Sequence, residues 1–149
     1  MRLLIVFICA ASFMAFACPD LSGVYYCPDE NLEFNVLVQI TQQTDSEARV
    51  RYQRTQNNKT EFLIADGVNH SVETGVFKGK IKYWCDKSVL KTSQAGDLYE
   101  EGEIVGKLSS SMGYALDAEK NLVSQGEAHI QHLGETYLIP MDYKCLRKN

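Results

Sequence analysis

The stretch Cys18-Pro19-Asp20-Leu21-Ser22-Gly23-Val24-Tyr25-Tyr26-Cys27 constrains this chain more than any other. It joins an export boundary, two cysteines, a Pro/Gly bend and an aromatic strand. Ahead of it, residues 1–17 read as a secretory signal. Arg2 supplies the positive start, Leu3 to Ala11 a short apolar core, and Ala15-Phe16-Ala17 the small-x-small cleavage pattern. That core is too short to span a bilayer comfortably. Cleavage after Ala17 leaves residues 18–149, a length that suits one domain with one core.

The same boundary admits a second reading, in which Cys18 is the lipid-carrying cysteine of a bacterial lipoprotein. Such signals usually place Leu three residues and a small residue two residues before the cysteine, where this chain has Ala15 and Phe16. Plain secretion, to a periplasm or to the outside, is the reading preferred. Losing Arg2 with the signal leaves 14 of the 15 basic residues against 19 acidic ones, a formal charge of −5. An acidic chain without a basic amphipathic stretch is poorly matched to a phosphate backbone or an anionic membrane surface. Nucleic acid is therefore not expected as a partner, and no later segment is apolar enough for a transmembrane span.

Four cysteines remain, Cys18, Cys27, Cys85 and Cys145. In an exported chain they read as two disulfides, with three connectivities open. If the chain is an up-and-down closed sheet with an even number of strands, its last strand runs antiparallel beside its first. The expected pairing is then Cys18 with Cys145 and Cys27 with Cys85.

Alternation with a period of two recurs along the mature chain. Leu21 to Cys27 reads as the first strand and Pro28-Asp29-Glu30-Asn31 as a turn. Phe34, Val36, Val38 and Ile40 share one face, and Val50 and Tyr52 alternate with Arg49 and Arg51. Val68 to Val76 is expected to be a loop or a short edge strand. Phe77 to Cys85 is a strand closed by a hairpin at Asp86-Lys87, and Ala95-Gly96-Asp97 reads as a bend. Leu98 to Leu108 reads as one strand region with bulges at Gly102 and Gly106, and Met112 to Leu116 as a short strand. Tyr137, Ile139, Met141, Tyr143 and Cys145 share one face in the cleanest alternation of all. About nine strands with turns between them and no helical period predict an all-β domain over residues 18–149. The expected form is a single antiparallel up-and-down β-barrel of eight to nine strands, stapled by disulfides.

Cys18-x-x-Leu21-Ser22-Gly23-x-Tyr25 resembles the opening of the lipocalin-related barrels, the calycins, and of avidin-type chains in particular. The resemblance covers about eight residues and implies a small closed barrel, with Leu21, Gly23 and Tyr25 as its end-closing motif and Tyr25 as the plug. Tyr stands where those families usually carry Trp, and only Leu146 to Asn149 follow the last strand, too few for a lipocalin C-terminal helix. Tyr26-Cys27, Met112-Gly113-Tyr114 and Gln125-Gly126-Glu127-Ala128 are fainter in kind and resemble the secreted inhibitors of c-type lysozyme, which would make the partner a secreted hydrolase.

No catalytic set stands out, and neither a cofactor nor a metal is expected. His129 and His132 would fall on opposite faces of a strand, so their spacing does not suit a metal. Glu100, Glu101 and Glu103 read as a solvated charge run rather than paired carboxylates, and Ser109-Ser110-Ser111 lacks a nucleophile elbow. Asn58-Lys59-Thr60 and Asn69-His70-Ser71 match the glycosylation sequon. The aromatic residues, Tyr52, Tyr83, Tyr137 and Tyr143 foremost, fill a barrel core or line a cavity for a small apolar ligand. The functional expectation is a secreted or periplasmic, lipocalin-like, non-catalytic protein that binds a small apolar molecule or another protein.

Overall fold

In the computed structural model, residues 18–28 and 35–148 are described. The export signal at residues 1–17, Phe34 and most of the Pro28–Asn31 turn lie outside them. The described chain is all β: β1 (Gly23–Cys27), β2 (Val36–Thr44), β3 (Val50–Gln56), β4 (Lys59–Ile64), β5 (Asn69–Glu73), β6 (Phe77–Asp86), β7 (Val89–Glu100), β8 (Glu103–Leu116), β9 (Leu122–His132), β10 (Glu135–Pro140) and β11 (Tyr143–Arg147).

These strands form one antiparallel sheet in the order β4-β3-β2-β1-β11-β9-β8-β7-β6-β5, with β10 beside β9. First and last strands do lie side by side, as a meander that curls back on itself requires. Closure, however, does not follow. The two ends of the sheet, β4 and β5, are joined by the short segment 65–68 yet do not pair with each other. That segment is itself tied down, Ala65 N–H donating to Val50 and Gly67 N–H to Tyr83. The expected closed barrel of eight or nine strands is thus an open, curled sheet of eleven. Its walls differ in length: β6 to β9 run for 10–14 residues, β3 to β5 for only 5–7.

Two features explain the misread strand count. Gly96 and Ala95 do not bend the chain; they lie within β7, and Gly96 faces Gly79 across the ladder. A Cβ on Gly96 would stand 2.3 Å from the Lys78 carbonyl oxygen and 2.8 Å from the Phe77 ring. The paired glycines let the buried Phe77 ring lie against bare backbone, a use of strand glycine that looks like a turn in sequence. Glu101-Gly102, expected as a bulge, is a full reversal between β7 and β8. The bulge expected at Gly106 is present, since Leu98 faces Gly106 and Tyr99 faces Ile104 with Val105 left over, and Met112–Leu116 is the far end of a 14-residue strand.

The disulfides are Cys18–Cys85 and Cys27–Cys145, with Cα atoms 5.2 and 4.2 Å apart. The ladder register corrects the expected pairing. β1 meets β11 with Tyr25 opposite Arg147 and Tyr26 opposite Leu146, so the next antiparallel pair is Cys27 with Cys145. Cys18 lies five residues before β1, beyond the reach of β11, and is carried across the end of the curl to the end of β6. On the way Pro19 O accepts from Tyr52 Oη at 2.7 Å, Ser22 Oγ accepts from Gln42 N, and Ser22 O accepts from the Arg147 guanidinium. Residues 18–22 therefore form a cap over one end. The core sits beneath it: Leu21, Tyr25, Cys27, Val38, Ile40, Tyr52, Leu90, Leu122 and Cys145. Two bridges indicate an oxidising, extracytoplasmic compartment. Among the described residues no helix is long and apolar enough to cross a membrane.

Candidate ligand cavity

Inward-facing positions are set by the strand period and the registers above. Tyr25 is fully buried below the cap and donates from Oη to Leu21 O at 2.9 Å. Gly23 leaves room for that ring: a Cβ there would stand 2.7 Å from Tyr25 Oη. Leu21, Gly23 and Tyr25 thus sit together at the capped end.

Beyond the core the concave face is hollow. A pocket of about 160 Å³ lies next to the core, with Leu63, Tyr52, Leu90, Tyr114, Tyr143 and Arg54 among its walls. A larger one of about 590 Å³ runs towards the unpaired seam between β4 and β5. Arg54, Leu63 and Tyr114 line both, so the two are neighbouring parts of one concavity. The larger part is lined by Ile81, Tyr83, Met112 and Met141, with Thr92, Gln94 and Ser110 interleaved among them across β6 to β8 and with Glu61 and His70 from β4 and β5.

Burial pushes the Tyr83 hydroxyl up to about 12 and raises Tyr114 further, the Tyr143 hydroxyl beside it adding to the effect of burial. Both stay protonated across physiological pH and can donate a hydrogen bond. Arg54 is the cation of the concavity. One of its nitrogens donates to Gln56 Oε1 at 2.7 Å, and another stands 3.9 Å from Glu61, too far for a firm hydrogen bond. At the seam His70 Nε2 lies 3.0–3.1 Å from both carboxylate oxygens of Asp66.

Of the tyrosines expected at a cavity, Tyr52 and Tyr143 line the smaller part and Tyr83 the larger, whereas Tyr137 stands outside it, 46 % exposed on β10. Trp84 faces away too, with Lys82 over its ring. Sequence reasoning missed Arg54, Thr92 and Ser110. Arg54 follows Tyr52 at the inward spacing, a signal that was readable but masked by its charge. His129 and His132 fall on opposite faces of β9, and Glu100 and Glu103 face each other across the exposed β7–β8 turn. Both sequon asparagines, Asn58 and Asn69, are exposed.

The geometry defines the class: a disulfide-linked, open β-sheet protein with a lined concave face. Comparison with protein-family models, with curated proteins and with solved structures found no match.

Proposed function

We propose that this is an exported, non-catalytic binding protein whose concave face takes up a small molecule with an apolar body and a polar end. The observation that carries the reading is the 590 Å³ hollow, a size suited to small ligands, in which aromatic and thioether walls meet a few hydrogen-bonding groups. Ile81, Met112 and Met141 would cover the apolar body. Arg54, loosely held by Glu61, would meet the polar end, and an anionic group there would gain most. The calycin-like opening motif supports the same reading, since Tyr25 lies at a capped end with the hollow beyond it. The alternative lipid anchor would need the Cys18 sulfur, which here is bonded to Cys85.

Native mass spectrometry of protein purified from its source, together with a thermal-shift screen against fatty acids and related amphiphiles, tests the proposal. A co-purifying mass, or a raised unfolding temperature that Arg54→Met weakens, is the expected result. No bound mass and no shift across the panel would defeat it.

A further inference from the structure

Among the described residues the strand β10 has one edge in use and one free. Its hairpin with β9 turns at Leu133-Gly134, both at positive φ (50° and 85°), with His132 and Glu135 as the closing pair. A two-residue turn of this kind makes the closing pair a hydrogen-bonded one. The N–H and C=O groups of Glu135, Tyr137 and Ile139 then point to β9. Met141 keeps the same parity, its N–H donating to Gly126 O at 2.9 Å. The backbone groups of Thr136 and Leu138 point the other way, as does the carbonyl of Pro140. Pro140 has no N–H to expose, and an outward edge position is where a strand tolerates proline.

Among the described residues no strand pairs this outer edge. All six residues of β10 are exposed, Tyr137 by 46 %, Leu138 by 61 % and Ile139 by 41 %. The sheet's other free edges carry charges, Lys59 and Glu61 on β4 and Glu73 on β5. Charged side chains of this sort blunt an edge against further pairing. From Thr136 to Met141 there is none.

We propose that β10 pairs antiparallel with β10 of a second copy of the chain, about a two-fold axis at Leu138. That register makes four hydrogen bonds: two between Leu138 and its copy, and one in each direction from Thr136 N–H to the Pro140 carbonyl. Proline's missing donor leaves only the Thr136 carbonyl without a partner. Tyr137 falls opposite Ile139 of the second copy, an aromatic and β-branched pair of the kind that stabilises sheets. Glu135 falls opposite Met141, so no two like charges face each other. The strand is its own complement, which favours a second copy over a foreign strand. Six residues a side span only about 20 Å, a single strand-to-strand contact smaller than the ~1,200–2,000 Å² interface of a stable complex, so the dimer is a weak one.

Sedimentation equilibrium on the mature protein from about 10 µM to about 1 mM tests this, a range that covers dissociation constants up to the millimolar limit. A monomer–dimer equilibrium is expected. Leu138→Lys, which sets two ammonium groups at the axis, and Leu138→Pro, which removes a donor β9 does not use, should each weaken it at least tenfold. Hydrogen exchange at the Leu138 amide should slow as concentration rises, while the Tyr137 amide is protected throughout. A monomer at every concentration overturns the proposal, as does a dimer indifferent to both substitutions. So does a Leu138 amide already protected in the dilute monomer, which would place another stretch of the same chain on the edge.

Discussion

Tyr52 shows how much one side chain fixes. Its ring is fully buried between cap and core, and its hydroxyl, held protonated by burial, gives the Pro19 carbonyl its partner across 33 residues of sequence. Tyr52→Phe keeps the packing and leaves that carbonyl to the Gln42 side-chain amide, which donates to it at 3.0 Å, so urea unfolding should show a loss of about 1 kcal/mol. Tyr52→Ala also opens a cavity and should cost about 3–5 kcal/mol. Equal losses for the two would contradict this division. Asp117 is a second such position. The Lys144 ammonium at 2.7 Å, helped by the Asn121 N–H, holds its carboxyl well below the usual carboxylate range. Asp45 is lowered likewise, by the backbone and side chain of Arg49. A carboxyl lowered in the folded state adds stability that is fully present above its unfolded pKa and is lost as pH falls through the folded one. Urea midpoints should therefore be level from about pH 8 to 5 and drop below about pH 4. Asp117→Asn should make the drop shallower.

At the level of the element, the same turn is used twice. Asp45 and Asp117 each accept, through one carboxylate oxygen, from the backbone N–H two and four residues on, while Ala48 and Lys120 take positive φ in the same place. Both turns were readable as Asp-led reversals, because a short acidic side chain can stand in for a backbone acceptor. The alternation that marks β2, β3, β6 and β11 was readable as well, since each has one wetter face, whereas the same alternation in β10 belongs to a strand exposed on both faces. Gly79, Gly96 and the long β7–β8 hairpin were not. A glycine that makes room for an aromatic ring and one that turns the chain look alike until the facing strand is known. Gly96→Val would drive its Cβ into the Lys78 carbonyl and the Phe77 ring, and should cost at least about 1–3 kcal/mol by thermal unfolding. Gly102→Ala, at a solvated turn with positive φ, should cost less, by roughly 1 kcal/mol.

For the molecule as a whole, register decides the disulfides. Register places Cys27 against Cys145 and frees the N-terminal segment to cross to Cys85, so one end is capped and stapled. The β4 and β5 edges do not pair, and the short segment 65–68 joins them. Neither register nor strand length can be read from alternation alone, which is why a closed barrel and the other pairing looked right in sequence. Capped at one end and open along a seam, the sheet holds a packed core beneath the cap and presents a hollow beyond it. Beyond residue 17 the only methionines are Met112 and Met141, and both line the larger part of the hollow. Methyl NMR of the ¹³C-methionine-labelled mature protein, titrated with a long-chain carboxylate, reads that space directly. Both methyl signals should move together and saturate, and Arg54→Met should weaken the response. Two methyl signals that stay fixed while the amphiphile binds elsewhere, or does not bind, would contradict a ligand-taking interior.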